Sequence, residues 1–231
     1  MAVRTTGSAM ELREYLAIRR AYNLVRQEMP AERRLTFVEL AILCRMDVLG
    51  RPMNTSEIAE YQGALRPTMT HRTKHLSELG LMSRSKGSSD RRNVICEISD
   101  QGREFVEKAC RMICDILHAG SILSRTTSQR VARYVDAMGS LTCMSGDLVL
   151  LGILQSETGS RTVSDLVATL GLLQPTVSMS VASLEGEGLA RRLRQDDGAA
   201  RSVDIVLTEA GEARAADIAE QIRALVIRRK S

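Results

Sequence analysis

Two stretches of the chain are dense in apolar residues at helical spacing, "TFVELAILCRMDVLG" and "SGDLVLLGILQSE". Each predicts a core helix. Longer amphipathic patterns predict helices over about 8–29, 101–119, 127–139 and 209–229. After each core helix comes a polar residue with an acid three positions on, Asn54 with Glu57 and Thr162 with Asp165. That spacing is a capping box, which opens a second, short helix. Gly63 and Gly171 end those helices, and Pro67 and Pro175 stand in the first turn of a third. The third helices stop at "ELGL" and "GEGL". A strand, a polar loop and a second strand follow. Alternation puts Val94, Cys96 and Ile98 on one face, and Val203, Ile205 and Leu207 on the corresponding face. "SDQG" and "TEAG" then begin a further helix, with Ser99 and Thr208 as N-caps.

The order of signals repeats because the sequence repeats. A shift of 108 residues brings Gly63 onto Gly171, Leu65 onto Leu173, Pro67 onto Pro175 and Thr68 onto Thr176. It also brings Leu76 onto Leu184, Gly80 onto Gly188, Leu81 onto Leu189 and Arg84 onto Arg192. One inserted residue later, Val94 meets Val203, Ser99 meets Thr208 and Gly102 meets Gly211. Two copies of this length are tandem domains rather than a solenoid. The expected fold is mainly α with small β-hairpin wings: two tandem winged helix-turn-helix domains, joined and flanked by long helices. The expected division is 1–119 and 120–231, with "HAGSILSRTTS" as the break.

At these residues the chain resembles the MarR family of bacterial winged-helix regulators. "TVSMSVASLEGEGLARR" with "LTEAG" is similar to the family's recognition helix and post-wing segment, and "DRRNVICEISDQG" to its wing. The resemblance covers roughly 10–118 and 125–229. It implies a transcriptional regulator, a repressor in the leading reading, on double-stranded DNA. The third helix would enter the major groove and the wing arginine would lie near the minor groove. It also implies a small-molecule effector, held in a pocket lined from 10–29, 36–49 and 101–118 or from their counterparts in the second copy. Family members are ordinarily single-copy homodimers. Two copies in one chain imply an intramolecular pseudo-dimer, and whether it pairs further into a homodimer stays open.

Charge separates the copies. From Arg66 to Arg92 there are seven Arg and Lys (Arg66, Arg72, Lys74, Arg84, Lys86, Arg91, Arg92) against Glu78 and Asp90, a balance of +5. From Gln174 to Arg201, four Arg (Arg191, Arg192, Arg194, Arg201) meet four acids (Glu185, Glu187, Asp196, Asp197), a balance of zero. Each neutralised phosphate contributes about 0.9 to the slope of log affinity against log salt, so the first copy is expected to dominate DNA affinity. Its candidate contacts are Arg66, Thr68, Thr70, His71, Arg72 and Lys74 on the helix, with Arg84, Lys86, Arg91 and Arg92 on the wing. Arg72 has the fork that takes guanine bidentately. The second copy offers Gln174, Thr176, Ser178, Arg192 and Arg201. It has Met179 where the family commonly has Arg, and Gly198, Ala199 and Ala200 at the wing tip.

Composition narrows the alternatives. The chain has 231 residues, no Trp, two Phe and four Tyr, which disfavours recognition of single strands by stacking. No apolar run approaches the roughly 20 residues of a membrane span, and the opening residues have no secretory signal. Five cysteines (Cys44, Cys96, Cys110, Cys114, Cys143) show no disulfide framework, so the expected setting is the reducing cytoplasm. Cys110, Cys114 and His118 share a helix face and are read as packing rather than as a metal or redox site. His75 is read either as facing DNA or as partly buried. No metal or cofactor is expected, nor an enzyme, since neither a P-loop, HExxH nor GxSxG occurs. The competing reading is a tandem winged-helix adaptor of a chromosome-organisation complex, which the neutral second copy fits and the basic first copy does not. A thiol redox sensor is the third.

Overall fold

A computed structural model describes residues 7–86, 94–194 and 203–228. The chain packs into two compact units. Of the described residues, one unit holds those within Met1–Ser8, Val25–Thr142 and Val226–Ser231, and the other those within Ala9–Leu24 and Cys143–Leu225.

The first unit is built on α2 (Phe37–Leu49), most of whose apolar positions are buried. Its N-cap Thr36 accepts from the Glu39 N–H, and Glu39 accepts from the Thr36 N–H at 2.7 Å. This reciprocal pairing satisfies two otherwise orphaned donors. The strand β2 (Met53–Asn54) leads into α3 (Thr55–Tyr61), where Asn54 and Glu57 form the expected capping box. Gly63, at φ 56, makes the turn that only a residue without a Cβ takes cheaply. Then come α4 (Arg66–Glu78), β3 (Met82–Lys86), β4 (Val94–Ile98), α5 (Asp100–His118) and α6 (Ser128–Met138). The sheet is antiparallel in the order β2-β4-β3, with Arg84 opposite Cys96 and Met53 on its other side.

The second unit repeats this frame. It contains α7 (Ser145–Leu154), β5 (Ser160–Arg161), α8 (Val163–Leu170), α9 (Gln174–Gly186), β6 (Ala190–Arg194), β7 (Val203–Leu207) and α10 (Glu209–Arg223), with sheet order β5-β7-β6. Thr162 and Asp165 form the expected box. The C-terminal carbonyls of α8 are closed by side chains of α1 (Leu12–Glu28): Arg20 Nε donates to Ala168 O and Asn23 Nδ2 to Leu170 O, each at 2.8 Å.

Three sequence expectations change. Each wing gains a third strand, β2 or β5, because a two-residue strand is too short to show alternation. The helix expected over 209–229 stops at Arg223, and β8 (Val226–Arg228) pairs with β1 (Gly7–Ala9). The break near 119–127 ends α5 but not the first unit, since α6 buries Val131, Tyr134, Val135 and Met138 against α2 and α5. Among the described residues, no single helix is long and apolar enough to cross a membrane.

Candidate nucleic-acid interface

The helix α4 sits on three buried side chains, Met69, Thr73 and Leu76. Positions 69, 73 and 76 fall on one helical stripe, so the opposite stripe must face away from the core. That outward surface carries Arg66, Thr68, Thr70, His71 and Lys74, all exposed, and one acid, Glu78, 3.6 Å from Lys74. Pro67 in the first turn costs no helical hydrogen bond. Arg66 is tied to the Ser56 hydroxyl of α3, and the Thr70 hydroxyl donates to the Arg66 carbonyl at 3.1 Å.

Arg72 lies at the edge of this stripe rather than at its centre. It is half-buried, and its Nη1 donates to Gln62 Oε1 at 2.9 Å. Burial pushes the guanidinium below the ordinary arginine value, and Glu39 opposes that shift. Gln62 itself is only 2 % exposed and donates from Nε2 to the Val38 carbonyl at 3.0 Å. His75 lies one turn further on, its Nδ1 2.6 Å from Glu39 Oε1. Burial alone would raise the Glu39 carboxyl; the bonds from Thr36 and His75 outweigh it and hold the group below its ordinary value. So of the two readings of His75, the structure gives the partly buried one. Sequence reasoning missed Gln62 altogether. The one sequence signal for Glu39 is its place three residues after Thr36 at the start of α2, a spacing that the cap accounts for.

On the wing, Arg84 is half-buried beside Cys96 and its Nε is buried without a protein partner, while Lys86 is exposed at the strand end. Arg91 and Arg92 lie outside the described residues, as does Arg201.

The second unit presents a different surface. Gln174 is exposed, Thr176 and Ser178 are half-buried, and Met179 is 74 % exposed. Arg192 is bound to Glu185 of α9 at 2.6 Å. Leu170 and Ser180 occupy the places of Gln62 and Arg72. Ser180 is buried and donates to the Ser145 hydroxyl at 2.9 Å.

A cavity of about 330 Å³ lies in the first unit between α5 and the turn that follows α4, lined by Arg33, Leu79, Leu81, Gln101, Glu104, Phe105 and Lys108. It shares α5 with the expected ligand region, but its other wall is the start of the wing, because α2 is packed against α5 and α6. The five cysteines are all buried. Burial raises the thiols of Cys44, Cys96, Cys114 and Cys143, which disfavours thiolate chemistry. Among the described residues, no three His, Cys, Asp or Glu side chains are arranged to hold a metal.

Residues 35–94 match the model described as the MarR family, and residues 149–192 match that of the bacterial regulatory protein, arsR family. Three solved structures are similar to part of the chain. YusO from Bacillus subtilis is 22% identical, over 48% of this chain and 75% of its own, with TM-score 0.39. The transcriptional regulator BldR from Sulfolobus solfataricus is 22% identical, over 47% and 77%, with TM-score 0.36. BpsR from Bordetella bronchiseptica, whose DNA binding is regulated by 6-hydroxynicotinic acid, is 22% identical, over 50% and 81%, with TM-score 0.37. No curated relative matches.

Proposed function

We propose, from the match of residues 35–94 to the MarR family model, that the protein is a sequence-specific regulator of transcription that binds duplex DNA, a repressor released by a small ligand. The observation that carries this reading is the outward stripe of α4: two cations, two threonines and a histidine exposed above buried Met69, Thr73 and Leu76, with one acid among them. Such a stripe offers donors to base edges and cations to phosphates at once. The module that carries α4 and the β3-β4 wing is the main reader, and that which carries α9 and the β6-β7 wing the lesser. The two serve as the halves of an intramolecular pseudo-dimer. The cavity floored by Leu79, Leu81 and Phe105, with Arg33 and Lys108 beside it, is the candidate effector site.

The test is binding to random duplex DNA across a salt series, followed by selection of preferred sites from a randomised pool. Substituting Arg72 and Arg92 with Ala should weaken binding to the selected site far more than substituting Met179 and Arg201. An interaction worth about 1–3 kcal/mol at a base is at stake at Arg72. Equal losses would overturn the ranking. Absence of salt-dependent binding by the intact chain would overturn DNA reading itself and leave a protein adaptor.

A further inference from the structure

Gln62 has no part in the expected contact set, yet it is tied to Arg72, the α4 arginine expected to take a guanine. Its two ends are assigned without ambiguity. The Val38 carbonyl can only accept, so Gln62 must present Nε2 to it, at 3.0 Å. Arg72 can only donate, so the remaining Oε1 must face Nη1, at 2.9 Å. Val38 belongs to α2, the most deeply buried helix of the unit, so the hold is anchored in the core. A free arginine samples many rotamers and loses that freedom on binding; one already held loses less.

The second module shows what happens without it. Both members of the pair are absent together there, Leu170 at the place of Gln62 and Ser180 at that of Arg72. One wing arginine of that module, Arg192, is held by a carboxylate, Glu185, which offsets its charge. Gln62 differs in kind. A neutral amide fixes direction and leaves the whole positive charge of Arg72 for a nucleic-acid partner.

We propose that Gln62 is a specificity-determining positioning residue, which touches no DNA and holds the Arg72 guanidinium in the orientation from which it reads a base. This rests on the DNA-reading proposal above. The experiment first selects the preferred duplex from a randomised pool with the intact chain, then finds the base position that Arg72→Ala relaxes. At that position the discrimination ratio is measured for Gln62→Met and Gln62→Glu, and for Gln62→Met combined with Arg72→Ala.

Gln62→Met fills the same space but accepts nothing from Arg72. It should lose about three- to tenfold of discrimination when Arg72 is present, the worth of one ordered long side chain. It should lose none when Arg72 is already Ala. Gln62→Glu keeps the acceptor, so discrimination should survive. The carboxylate cancels the charge, so the salt dependence should flatten, by at most about 0.9 in slope. Loss of discrimination in both Arg72 backgrounds, or equal behaviour of Met and Glu at position 62, would overturn the inference while DNA reading stands. Should the Met variant fail to fold, the Glu variant decides alone: relaxed discrimination in it sinks the proposal. If the intact chain selects no sequence, it is the DNA-reading proposal that falls.

Discussion

Glu185 Oε2 lies 2.6 Å from Arg192 Nη1, so β6 of the second module is bound back onto α9. In the first module the matching positions are Ser77 and Arg84, and Ser77 has no charge to offer. The electrostatic difference between the modules is therefore more than a difference in the number of basic residues. In the second module an acid holds that cation, whereas Arg84 of the first lies beside Cys96.

Glu185→Ser should consequently make the second module more like the first. Freed of its carboxylate, Arg192 can neutralise a phosphate, and the slope of log affinity against log salt should steepen by up to about 0.9. Duplex affinity at low salt should rise with it. A titration of random duplex DNA at several salt concentrations checks both, and an unchanged slope would mean that Arg192 does not reach DNA.

The Glu39 carboxyl gives a pH dependence of known sign. Its value in the fold lies below the ordinary 4.5, so the unfolded chain takes up its proton first as pH falls. The stability it contributes is complete above about 4.5 and is lost as pH drops through the lower folded value. Glu39→Gln abolishes this contribution. Melting temperatures measured between about pH 3 and 6 should therefore fall less steeply for the variant than for the parent chain. Parallel curves would show that the Thr36 and His75 bonds do not hold the carboxylate as described.

Much of this was legible in the sequence, and for identifiable reasons. Capping boxes at Thr162/Asp165 and Asn54/Glu57 are local, completed within three residues, and the structure contains both. The ends of α3 and α8 were readable because Gly63 and Gly171 take positive φ there. The ties that shape the interface are of another kind. Gln62 with Arg72 spans ten residues and Glu39 with His75 spans 36, and periodicity says which face a residue occupies but not what it meets. The tail 226–228 departs from the expected helix for a related reason. Its apolar residues continue a helical pattern, while the partner strand that claims it lies at the opposite end of the chain.

Arg45 and Asp136 form an ion pair at 3.3 Å with side chains 19 and 3 % exposed, joining α2 to α6. Breaking such a pair strands a charge in the core. Asp136→Ala should cost about 3–5 kcal/mol of stability, whereas the double change Arg45→Met with Asp136→Leu should recover most of it. Chemical denaturation of the three chains decides the matter. A double variant as unstable as Asp136→Ala would mean that the pair is worth more than the desolvation it requires.

The glycine of "SDQG" and "TEAG" has a steric cause that both modules share. Ser99 and Thr208 cap α5 and α10 by accepting from the N–H of Gly102 and Gly211, three residues on. The same Ser99 and Thr208 donate their own N–H to the carbonyls of Leu81 and Leu189, at 3.2 and 3.1 Å. That bond draws the first turn of the helix down onto the strand entry. A Cβ on Gly102 would lie 2.1 Å from the Leu81 carbonyl oxygen, and one on Gly211 1.9 Å from that of Leu189. Both obstacles are backbone, which cannot rotate aside. Gly102→Ala and Gly211→Ala should each destabilise by about 2–3 kcal/mol, well beyond an ordinary surface change. Gly186→Ala is the matched control, because its Cβ would meet nothing within 4 Å. Equal melting temperatures for the three variants would show that the helix can lift off the strand at no cost, and that the repeated glycine has some other cause.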